Sequence, residues 1–597
     1  MQTSCQNPSP NRAPFSKLRR RRQVGYYGGV ASGSTLDAPS PSSSTRPELD
    51  SALDRLASRK DAWVRVEIPQ RIAYLTQCIE GIGAEAEAWV REACSQRGID
   101  PGSPLAGEEW LSGPMVTTQM LRLYAHSLVQ KARPRPPGLR VRDDGRTIAS
   151  VFPNNAIDRF LYYNITAEVR IEPGRPATQG RIYREKERGS FPPGGVALVL
   201  GAGNISAIGP LDLAHKLLVE DQVVMLKMNP VNDYLGPFFE RAFAPLIRDG
   251  FLAIAYGGPG VGEWLCRDPR IESIHLTGSQ RTYDAIVWGA DPSECARRKS
   301  EGRPLLSKPV TAELGCVTPV LVAPGNWSNA ALDFQARHVA AMVTHNASFN
   351  CNAGKVLVLS RGWKQRGAFL DRLKTALGET PSRRAYYPGA LDRYRSFLDR
   401  YPQAHPLGEA GDGIVPWTLI PDVPAADGEY ALNNEAFCGV LAEVSLDASD
   451  ASDFLQRAVT FANEKVWGTL SCALLVDPVT AREHHDDVES AIERLRYGCV
   501  GLNVWPGVGY GLGVTSWGAF PGHPPEEIGS GCGFVHNAFL FDHPQKSVVR
   551  APFRIWPKPV WFANHRSLNT LGRRLTRFQV RRSPLRLAGV AWAGLWG

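Results

Sequence analysis

The chain has 597 residues, too many for one ordinary hydrophobic core, so its length predicts two or more domains. Its 43% hydrophobic and 21% charged residues are typical of a soluble globular protein, and the absence of long apolar runs argues against a transmembrane helix. The eleven cysteines show no CxxC pair and no metal-ligand spacing, which indicates reduced thiols in a cytoplasmic compartment and no metal site.

The net charge of +9 is distributed unevenly along the chain. Residues 1–47 carry +6 and residues 556–597 carry +8, which leaves −5 for residues 48–555. A mildly acidic body argues against a nucleic-acid-binding core. Residues 1–47, rich in Ser, Pro, Gly and Arg, are predicted to be a disordered basic leader. A targeting segment and a wrongly assigned start remain alternatives.

Alternating apolar patterns then predict the elements of the body in chain order. Residues 48–135 show helical spacing of apolar residues, and a polar loop is expected near 133–147. From about residue 195, the apparent strands GVALVL, QVVMLKM, FLAIAYG and SIHLTG alternate with helices, which predicts a parallel sheet. A second alternation, with a helix near 328–345 and strands KVLVLS, FCGVLAEVSL and LSCALLVD, predicts a second α/β domain.

Three residues in these elements suggest chemistry, and each also has a plain structural interpretation. Lys227 ends an apolar strand, where it could bind ribose hydroxyls or phosphate, or could extend to solvent. Glu313, in an apolar strand, could be a general base with a raised pKa, or an ordinary capping or ion-paired carboxylate. Cys351, in NASFNCNAGK, could be a nucleophile or a small core residue.

The order of these residues resembles the motif order of the aldehyde dehydrogenase superfamily. The chain presents, in sequence, an asparagine after GAG, a strand ending in lysine, a TGS turn, TAELG, a cysteine and NEAFCGV; the corresponding positions are Asn204, Lys227, 277–279, Glu313, Cys351 and 434–440. Taken as a dinucleotide fingerprint, GAGNIS is weak because Ser206 stands at the third glycine. The combined order is more specific than any single motif.

The resemblance implies a role for each matching residue. Cys351 is expected to form a thiohemiacetal and then a thioester, with Asn204 and the Cys351 backbone N–H as the oxyanion hole. Glu313 is expected to activate the water that hydrolyses the thioester. Five further residues are expected to bind NAD or NADP, at the adenosine ribose, the pyrophosphate and the nicotinamide ribose: Lys227, Gly278, Ser279, Glu435 and Phe437. Pro230 replaces a glutamate that usually disfavours NADP, so the cofactor choice stays open.

The resemblance also implies a fold and an activity. The expected fold is α/β, with two Rossmann-like parallel-sheet domains and a small β arm, from parts near 159–185 and 535–557, that pairs subunits into dimers or tetramers. The expected segments are N-terminal helices and cofactor domain, catalytic domain, return to the cofactor domain and arm, and tail, at 48–312, 313–505, 506–555 and 556–597. The expected activity is NAD(P)-dependent oxidation of an aldehyde to its acid. The alternatives are a CoA-dependent acylating enzyme and a non-catalytic scaffold.

The C-terminal tail lies outside the resemblance. Leu568, Leu571, Leu575 and Phe578 recur at helical spacing among arginines, which predicts a basic amphipathic helix. Such a helix could bind a membrane surface or a partner, or could fold back on the body. Peripheral membrane contact of a cytoplasmic protein is the expectation to test. The aromatic-rich stretch WPGVGYGLGVTSWGAF further hints at a hydrophobic aldehyde.

Overall fold

The computed structural model describes residues 41–142 and 144–597. Most of the predicted basic leader therefore lies outside the described residues. Its last residues do not belong to a disordered segment, because the first helix begins at Arg46. This helix starts with Pro47 in its first turn, and the Glu48 carboxylate accepts a hydrogen bond of 2.7 Å from the Thr45 backbone N–H. Both features are typical helix starts.

The strands of the described residues fall into two large sheets and one short ribbon. In chain order they are β1 Gly138–Val141, β2 Thr147–Phe152, β3 Thr166–Ile171, β4 Gly195–Leu200, β5 Gln222–Lys227, β6 Leu252–Ala255, β7 Ser273–Thr277, β8 Val310–Glu313, β9 Thr318–Val322, β10 Gly354–Ser360, β11 Arg383–Arg384, β12 His405–Leu407, β13 Ile414–Val415, β14 Trp417–Ile420, β15 Val440–Leu446, β16 Ser471–Leu475, β17 Cys499–Leu502, β18 Gly531–Cys532 and β19 Pro544–Arg550.

The helices connect and cover these strands. In chain order they are α1 Arg46–Val64, α2 Ile68–Arg97, α3 Gly107–Trp110, α4 Val116–Val129, α5 Ala156–Leu161, α6 Arg181–Glu187, α7 Ile208–Leu218, α8 Gly236–Ala242, α9 Ala244–Arg248, α10 Pro259–Arg267, α11 Gln280–Val287, α12 Pro292–Glu301, α13 Asn329–Thr344, α14 Arg366–Gly378, α15 Ala390–Arg400, α16 Tyr430–Asn433, α17 Ala451–Glu464, α18 Pro478–Glu483, α19 His485–Arg494, α20 Gly507–Leu512, α21 Leu568–Val580 and α22 Pro584–Leu595.

The first large sheet has six strands in the order β18-β8-β7-β4-β5-β6. Its strands run parallel except for β18, which pairs antiparallel with β8. Strands β4 and β5 are apolar because helices cover both faces, as expected of a parallel sheet. The carboxyl ends of β4, β5 and β7 meet at one edge, which is where parallel sheets bind ligands.

The second large sheet has eleven strands in the order β1-β2-β3-β19-β17-β16-β9-β10-β15-β14-β12. Its run from β19 to β14 is parallel, and the two ends are antiparallel. The segment near 159–185, predicted as arm, contributes only β3, because α5 and α6 occupy its ends. The prediction of a polar loop near 133–147 is wrong in part, because strand β1 lies within this range.

The tail folds back on the body through α21. Leu568, Leu571, Leu575 and Phe578 are all buried, and the latter three belong to the same core as the N-terminal helices. Arg573 and Arg577, on the outer face, both form ion pairs of 3.2 Å with Glu87 of α2. The apolar stripe that could have bound a membrane is therefore covered by protein. Among the described residues, no helix is both long and apolar enough to span a bilayer.

Candidate active site

Cys351 lies in a short loop between α13 and β10. The loop begins with three consecutive residues in the left-handed region, Asn346, Ala347 and Ser348, with φ of 53°, 53° and 68°. Non-glycine residues in this region cost about 1–3 kcal/mol each, so the surroundings must hold the loop in place. The turn brings Cys351 to the end of β8, where it contacts Glu313.

The side chain of Asn346 holds this loop. Its Nδ2 donates to the backbone carbonyls of Asn204, at 3.0 Å, and of Phe349, at 3.1 Å. Its Oδ1 accepts from the Tyr386 hydroxyl at 3.0 Å and from an Arg97 guanidinium N–H at 3.2 Å. One buried amide therefore joins the cysteine loop to the loop that follows β4.

Two buried ion pairs contact Asn346. Arg97, on α2, contacts Glu109 at 2.6 Å, and Arg383 contacts Glu108 at 3.0 Å; all four side chains are buried. The Glu108 carboxylate also accepts from the Asn346 backbone N–H at 3.3 Å. These pairs have no signature in the sequence, because each charged residue lies far from its partner along the chain or in an ordinary helix.

The central contact of the site joins Cys351 and Glu313. The Cys351 Sγ–H donates to Glu313 Oε1 at 3.3 Å. Burial, assisted by the charge of Asp212, raises the pKa of Glu313 to about 7. Burial, together with the charges of Glu313 and Glu435, holds the pKa of the Cys351 thiol well above its usual range. The resting pair therefore keeps its proton on sulfur, beside a carboxylate that can accept it near neutral pH.

Asn204 lies beside this pair. It lines the same cavity as Cys351 and Glu313, and its Nδ2 donates to the Phe349 carbonyl at 2.9 Å. An amide nitrogen carries two N–H groups, so one of them remains to donate elsewhere. The three residues predicted to be catalytic thus line one cavity, of about 790 Å³.

Lys227 ends β5 at the carboxyl edge of the six-stranded sheet. It is only 7% exposed, and burial, partly offset by the charge of Asp233, lowers its pKa to about 8. In the described part of the chain, no carboxylate lies within ion-pairing distance of its ammonium. A buried and unpaired ammonium at a ligand-binding edge fits a polar cofactor group.

Gly278 and Ser279 follow β7 at the same edge, and both are exposed. The Ser279 hydroxyl accepts from the Thr282 backbone N–H at 3.2 Å, and so caps α11. The Gly278 N–H donates to the Glu313 carbonyl at 3.0 Å, so this turn adjoins the strand that carries the candidate base. No hydrogen bond among the described residues connects Lys227 or Ser279 to Cys351.

Glu435 and Phe437 approach the cysteine loop from the side of the second sheet. Glu435 packs against Gly315, where an added Cβ would lie 1.8 Å from its Oε2. The Phe437 ring lies 5.6 Å from that of Phe349, next to Cys351. Lys355, which the sequence analysis missed, contacts Glu435 at 3.3 Å and donates to the Asn350 carbonyl at 3.0 Å. The one feature of the sequence that could have indicated Lys355 is its position four residues after Cys351.

The described residues contain no group of three or more His, Cys, Asp or Glu side chains arranged to hold a metal ion. His345, beside the cysteine loop, has its ring nitrogen 3.0 Å from the Asn350 amide and packs against Trp505. Its contacts are those of a structural residue.

No protein-family model matches the chain. Alpha-ketoglutaric semialdehyde dehydrogenase 2 of Azospirillum brasilense is 23% identical over 418 residues, which is 68% of each chain. The NADP-dependent glyceraldehyde-3-phosphate dehydrogenase of Bacillus halodurans C-125, solved with NADP, has a TM-score of 0.54 and 15% identity over 85% of this chain and 91% of its own. The NAD-dependent aldehyde dehydrogenase of Sinorhizobium meliloti has a TM-score of 0.54 and 17% identity, over 84% and 86%.

Proposed function

We propose that the chain is a member of the aldehyde dehydrogenase superfamily and that it oxidises an aldehyde to the carboxylic acid through a covalent bond to Cys351. The observation that carries the proposal is the 3.3 Å contact between Cys351 Sγ and Glu313 Oε1. A nucleophile beside a base, with an amide donor in the same cavity, is the arrangement that attack on a carbonyl requires.

The first half-reaction uses the proton between these two side chains. Glu313 takes the thiol proton, and the thiolate forms a bond to the aldehyde carbon while the carbonyl π electrons move to oxygen. Asn204 Nδ2 and the Cys351 backbone N–H are the proposed donors to that oxyanion. When bound, a nicotinamide cofactor supplies the acceptor for the hydride that leaves this carbon, so that a thioester to Cys351 remains.

NAD or NADP is the proposed cofactor, and the site has side chains that suit it. The unpaired ammonium of Lys227 suits a ribose or phosphate oxygen, and the start of α11, which follows Gly278 and is capped by Ser279, presents backbone N–H groups. Glu435 and Phe437, next to the cysteine loop, suit the nicotinamide end. Two relatives in fold use such cofactors, one NADP and one NAD.

In the second half-reaction, Glu313 acts on water. Glu313 first releases the thiol proton to solvent, and its carboxylate then accepts a proton from water. The resulting oxygen nucleophile attacks the thioester carbon, and the carbon–sulfur bond breaks. The acid leaves and the sulfur is protonated again. Glu313 serves both halves because its pKa of about 7 lets it accept and return a proton near neutral pH.

Turnover of a panel of short, long-chain and aromatic aldehydes tests the proposal. Reduced cofactor is measured with NAD and NADP in parallel, for the natural chain, Cys351→Ala and the control Cys295→Ala. Cys295 is a partly exposed cysteine outside the cavity. We expect turnover to disappear in Cys351→Ala only. Turnover that persists in Cys351→Ala would contradict the proposal.

The same assay separates the two alternatives. A strict requirement for CoA would identify an acylating enzyme, in which the hydrolytic role of Glu313 has no use. Absence of turnover with or without CoA, together with absence of NAD(P)H binding by fluorescence titration, would identify a non-catalytic scaffold. Retention of Asn204, Glu313 and Cys351 around one cavity favours the hydrolytic enzyme over both.

We also propose that the chain forms homodimers or larger homo-oligomers through the outer edge of β1, with which no other described strand pairs. This strand is the last of the eleven-stranded sheet, and its residues Leu139 and Val141 are 58% and 71% exposed. An edge strand with exposed apolar side chains is prone to pair with another strand.

A further inference from the structure

The cavity above Cys351 is large and mostly apolar. Its polar residues include Asn204, Glu313, Cys351 and their immediate neighbours, and two basic residues, Arg159 and Lys558, also line it. The rest of the wall is largely aliphatic and aromatic. The volume of about 790 Å³ is in the range of pockets that enclose ligands much larger than a two-carbon aldehyde.

The two tail helices build one side of this wall. Leu571 and Leu575 of α21 line the cavity, together with Val590, Ala591 and other residues of α22. The segment between Ile555 and Trp561 closes the adjoining side. His565, also in the wall, is buried, and burial lowers its pKa to about 4, so this imidazole is neutral near pH 7. Apart from Lys558, whose ammonium donates to the Asn564 carbonyl, the part of the wall that the tail supplies is therefore uncharged.

The lining residues differ in solvent exposure, and this difference defines a buried end and an open rim of the cavity. Glu313 and Asn204 are 3% and 6% exposed, whereas four large lining residues are more than half exposed: Phe160, Tyr163, Trp556 and Leu595. The cavity thus opens to solvent through an apolar and aromatic rim, with Cys351 and its base at the closed end.

We propose that the substrate is an aldehyde with a long apolar carbon chain, which enters along the wall formed by α21 and α22 to reach Cys351. This inference rests on the proposed aldehyde oxidation and specifies its substrate class. Burial of each methylene group of the substrate contributes about 0.8 kcal/mol to the free energy of binding, which corresponds to about a fourfold gain in kcat/KM. A very short aldehyde would leave most of the apolar wall without contacts.

A homologous series of straight-chain aldehydes tests the substrate class. We expect kcat/KM to rise about fourfold per methylene until the cavity is filled and then to level off. Short aldehydes that are oxidised without such a rise would overturn this inference and leave the proposed oxidation standing. Absence of turnover with every aldehyde would instead overturn the proposed oxidation.

A variant in the wall provides the second test. Gly594 lines the cavity, and a Cβ at this position would meet no heavy atom within 4 Å outside its own helix. Gly594→Leu should therefore fold and narrow the channel, so that the ratio of long-chain to short-chain kcat/KM falls at least tenfold. The control is Gly367→Leu, in another helix, where a Cβ also has open space and which does not line this cavity. An unchanged ratio in Gly594→Leu would contradict the assigned path.

A separate observation concerns the outer face of α22. Leu585, Trp592, Leu595 and Trp596 are all more than half exposed, and Leu595 also belongs to the cavity rim. The Trp592 and Trp596 rings lie 5.7 Å apart. Residues 556–597 carry eight basic residues and no acidic one. Exposed tryptophans among basic side chains are typical of a surface that binds a lipid interface.

We infer that this face of α22 binds an anionic bilayer surface. The positive charge of the segment complements anionic headgroups, and the tryptophans suit the interfacial depth of a membrane. The proposal differs from a surface-bound α21, because the apolar face of α21 is buried in the body. A rim of the same character at the cavity mouth would receive apolar aldehydes directly from the lipid.

Co-sedimentation with phosphatidylcholine vesicles, with and without phosphatidylserine, tests this second inference. We expect binding that increases with phosphatidylserine and falls at least fivefold in the double variant Trp592→Ser/Trp596→Ser. The control Phe191→Ser/Val479→Ser removes apolar side chains of similar exposure elsewhere. Absence of binding by the natural chain would overturn the inference. So would light scattering that shows a dimer lost in the tryptophan variant, since a second copy would then cover this face.

Discussion

At the scale of single residues, the proposed chemistry depends on one proton between Cys351 and Glu313. Burial raises the pKa of both groups, so the resting pair is a neutral thiol beside a carboxylate that titrates near pH 7. The base form of Glu313 is present above its pKa of about 7 and is lost below it. This arrangement places the pH dependence of the reaction in the physiological range.

The pH profile of kcat/KM tests this assignment. We expect kcat/KM to fall as pH decreases through about 7, because protonated Glu313 cannot accept the thiol proton. Glu313→Gln should lower kcat by about 10²- to 10⁴-fold and remove this limb of the profile. The control is Glu379→Gln, at a partly exposed carboxylate after α14. A Glu313→Gln enzyme with the same acidic limb would assign it to another group.

The proposed contact between Lys227 and the cofactor leads to a second prediction for a single residue. Loss of its ammonium should weaken cofactor binding and leave Cys351 and Glu313 intact. Lys227→Gln is expected to raise the KM for the cofactor about tenfold or more, the usual effect of a lost charged hydrogen bond. The KM for the aldehyde should change little, and exposed Lys364→Gln is the control. An unaltered cofactor KM would mean that Lys227 does not contact the cofactor.

At the scale of elements, the cysteine loop is a strained turn held by buried charges. Three consecutive left-handed residues need fixed surroundings, and Asn346 connects them to the Arg97–Glu109 ion pair. A buried ion pair is not itself strong evidence of stability, but removal of one partner leaves the other charge unpaired. The loop therefore depends on groups from α2 and α3 that are distant in sequence.

Arg97→Met tests this dependence. We expect a loss of about 3–5 kcal/mol in the free energy of unfolding, measured with urea, because Glu109 is left as an unpaired buried charge. Arg91→Met, at an exposed position of the same helix, should change stability by less than about 0.5 kcal/mol. Equal effects of the two substitutions would show that the buried pair does not support the loop.

The elements themselves were largely predictable from the sequence, and the site only in part. The apolar runs at β4, β5, β7 and β10 predicted strands correctly because buried parallel strands are continuously apolar. Between β5 and β6, where the alternation predicts helical structure, the structure has two helices, α8 and α9, interrupted at Phe243 before Pro245. The spacing of apolar residues does not indicate such a break in a helix, although Pro245 in the sequence could have indicated it.

The partners of the candidate catalytic residues were much harder to predict. Motif order placed Cys351, Glu313 and Asn204 together, and the structure brings all three to one cavity. Arg97, Tyr386 and Lys355 reach the site only through the fold, and the pairing of buried charges leaves no periodic signal in a single sequence. The roles assigned by the resemblance remain predictions for the experiments above.

At the scale of the whole molecule, the described chain combines two sheets and a tail that completes the cavity wall. The eleven-stranded sheet ends in β1, whose outward residues Leu139 and Val141 are exposed. This edge is the proposed oligomer contact. The tail was predicted as an amphipathic helix, but its burial depends on the facing surface of α2–α4, which the tail sequence does not reveal.

The mass in solution tests the oligomer. Light scattering is expected to give a multiple of 65.4 kDa for the natural chain and a single-chain mass for Val141→Lys, since a charge on the edge disfavours strand pairing. Val479→Lys, at an exposed residue of a helix, is the control. A single-chain mass for the natural protein would contradict the proposal.

The high pKa of the Cys351 thiol has a consequence for the durability of the protein. Peroxides and alkylating agents react with thiolates and only slowly with protonated thiols. Between substrate molecules, Cys351 is held as a thiol at the closed end of an apolar cavity. Its sulfur should therefore survive oxidants that would damage a permanently ionised cysteine, and it becomes vulnerable only in the interval when Glu313 has taken its proton.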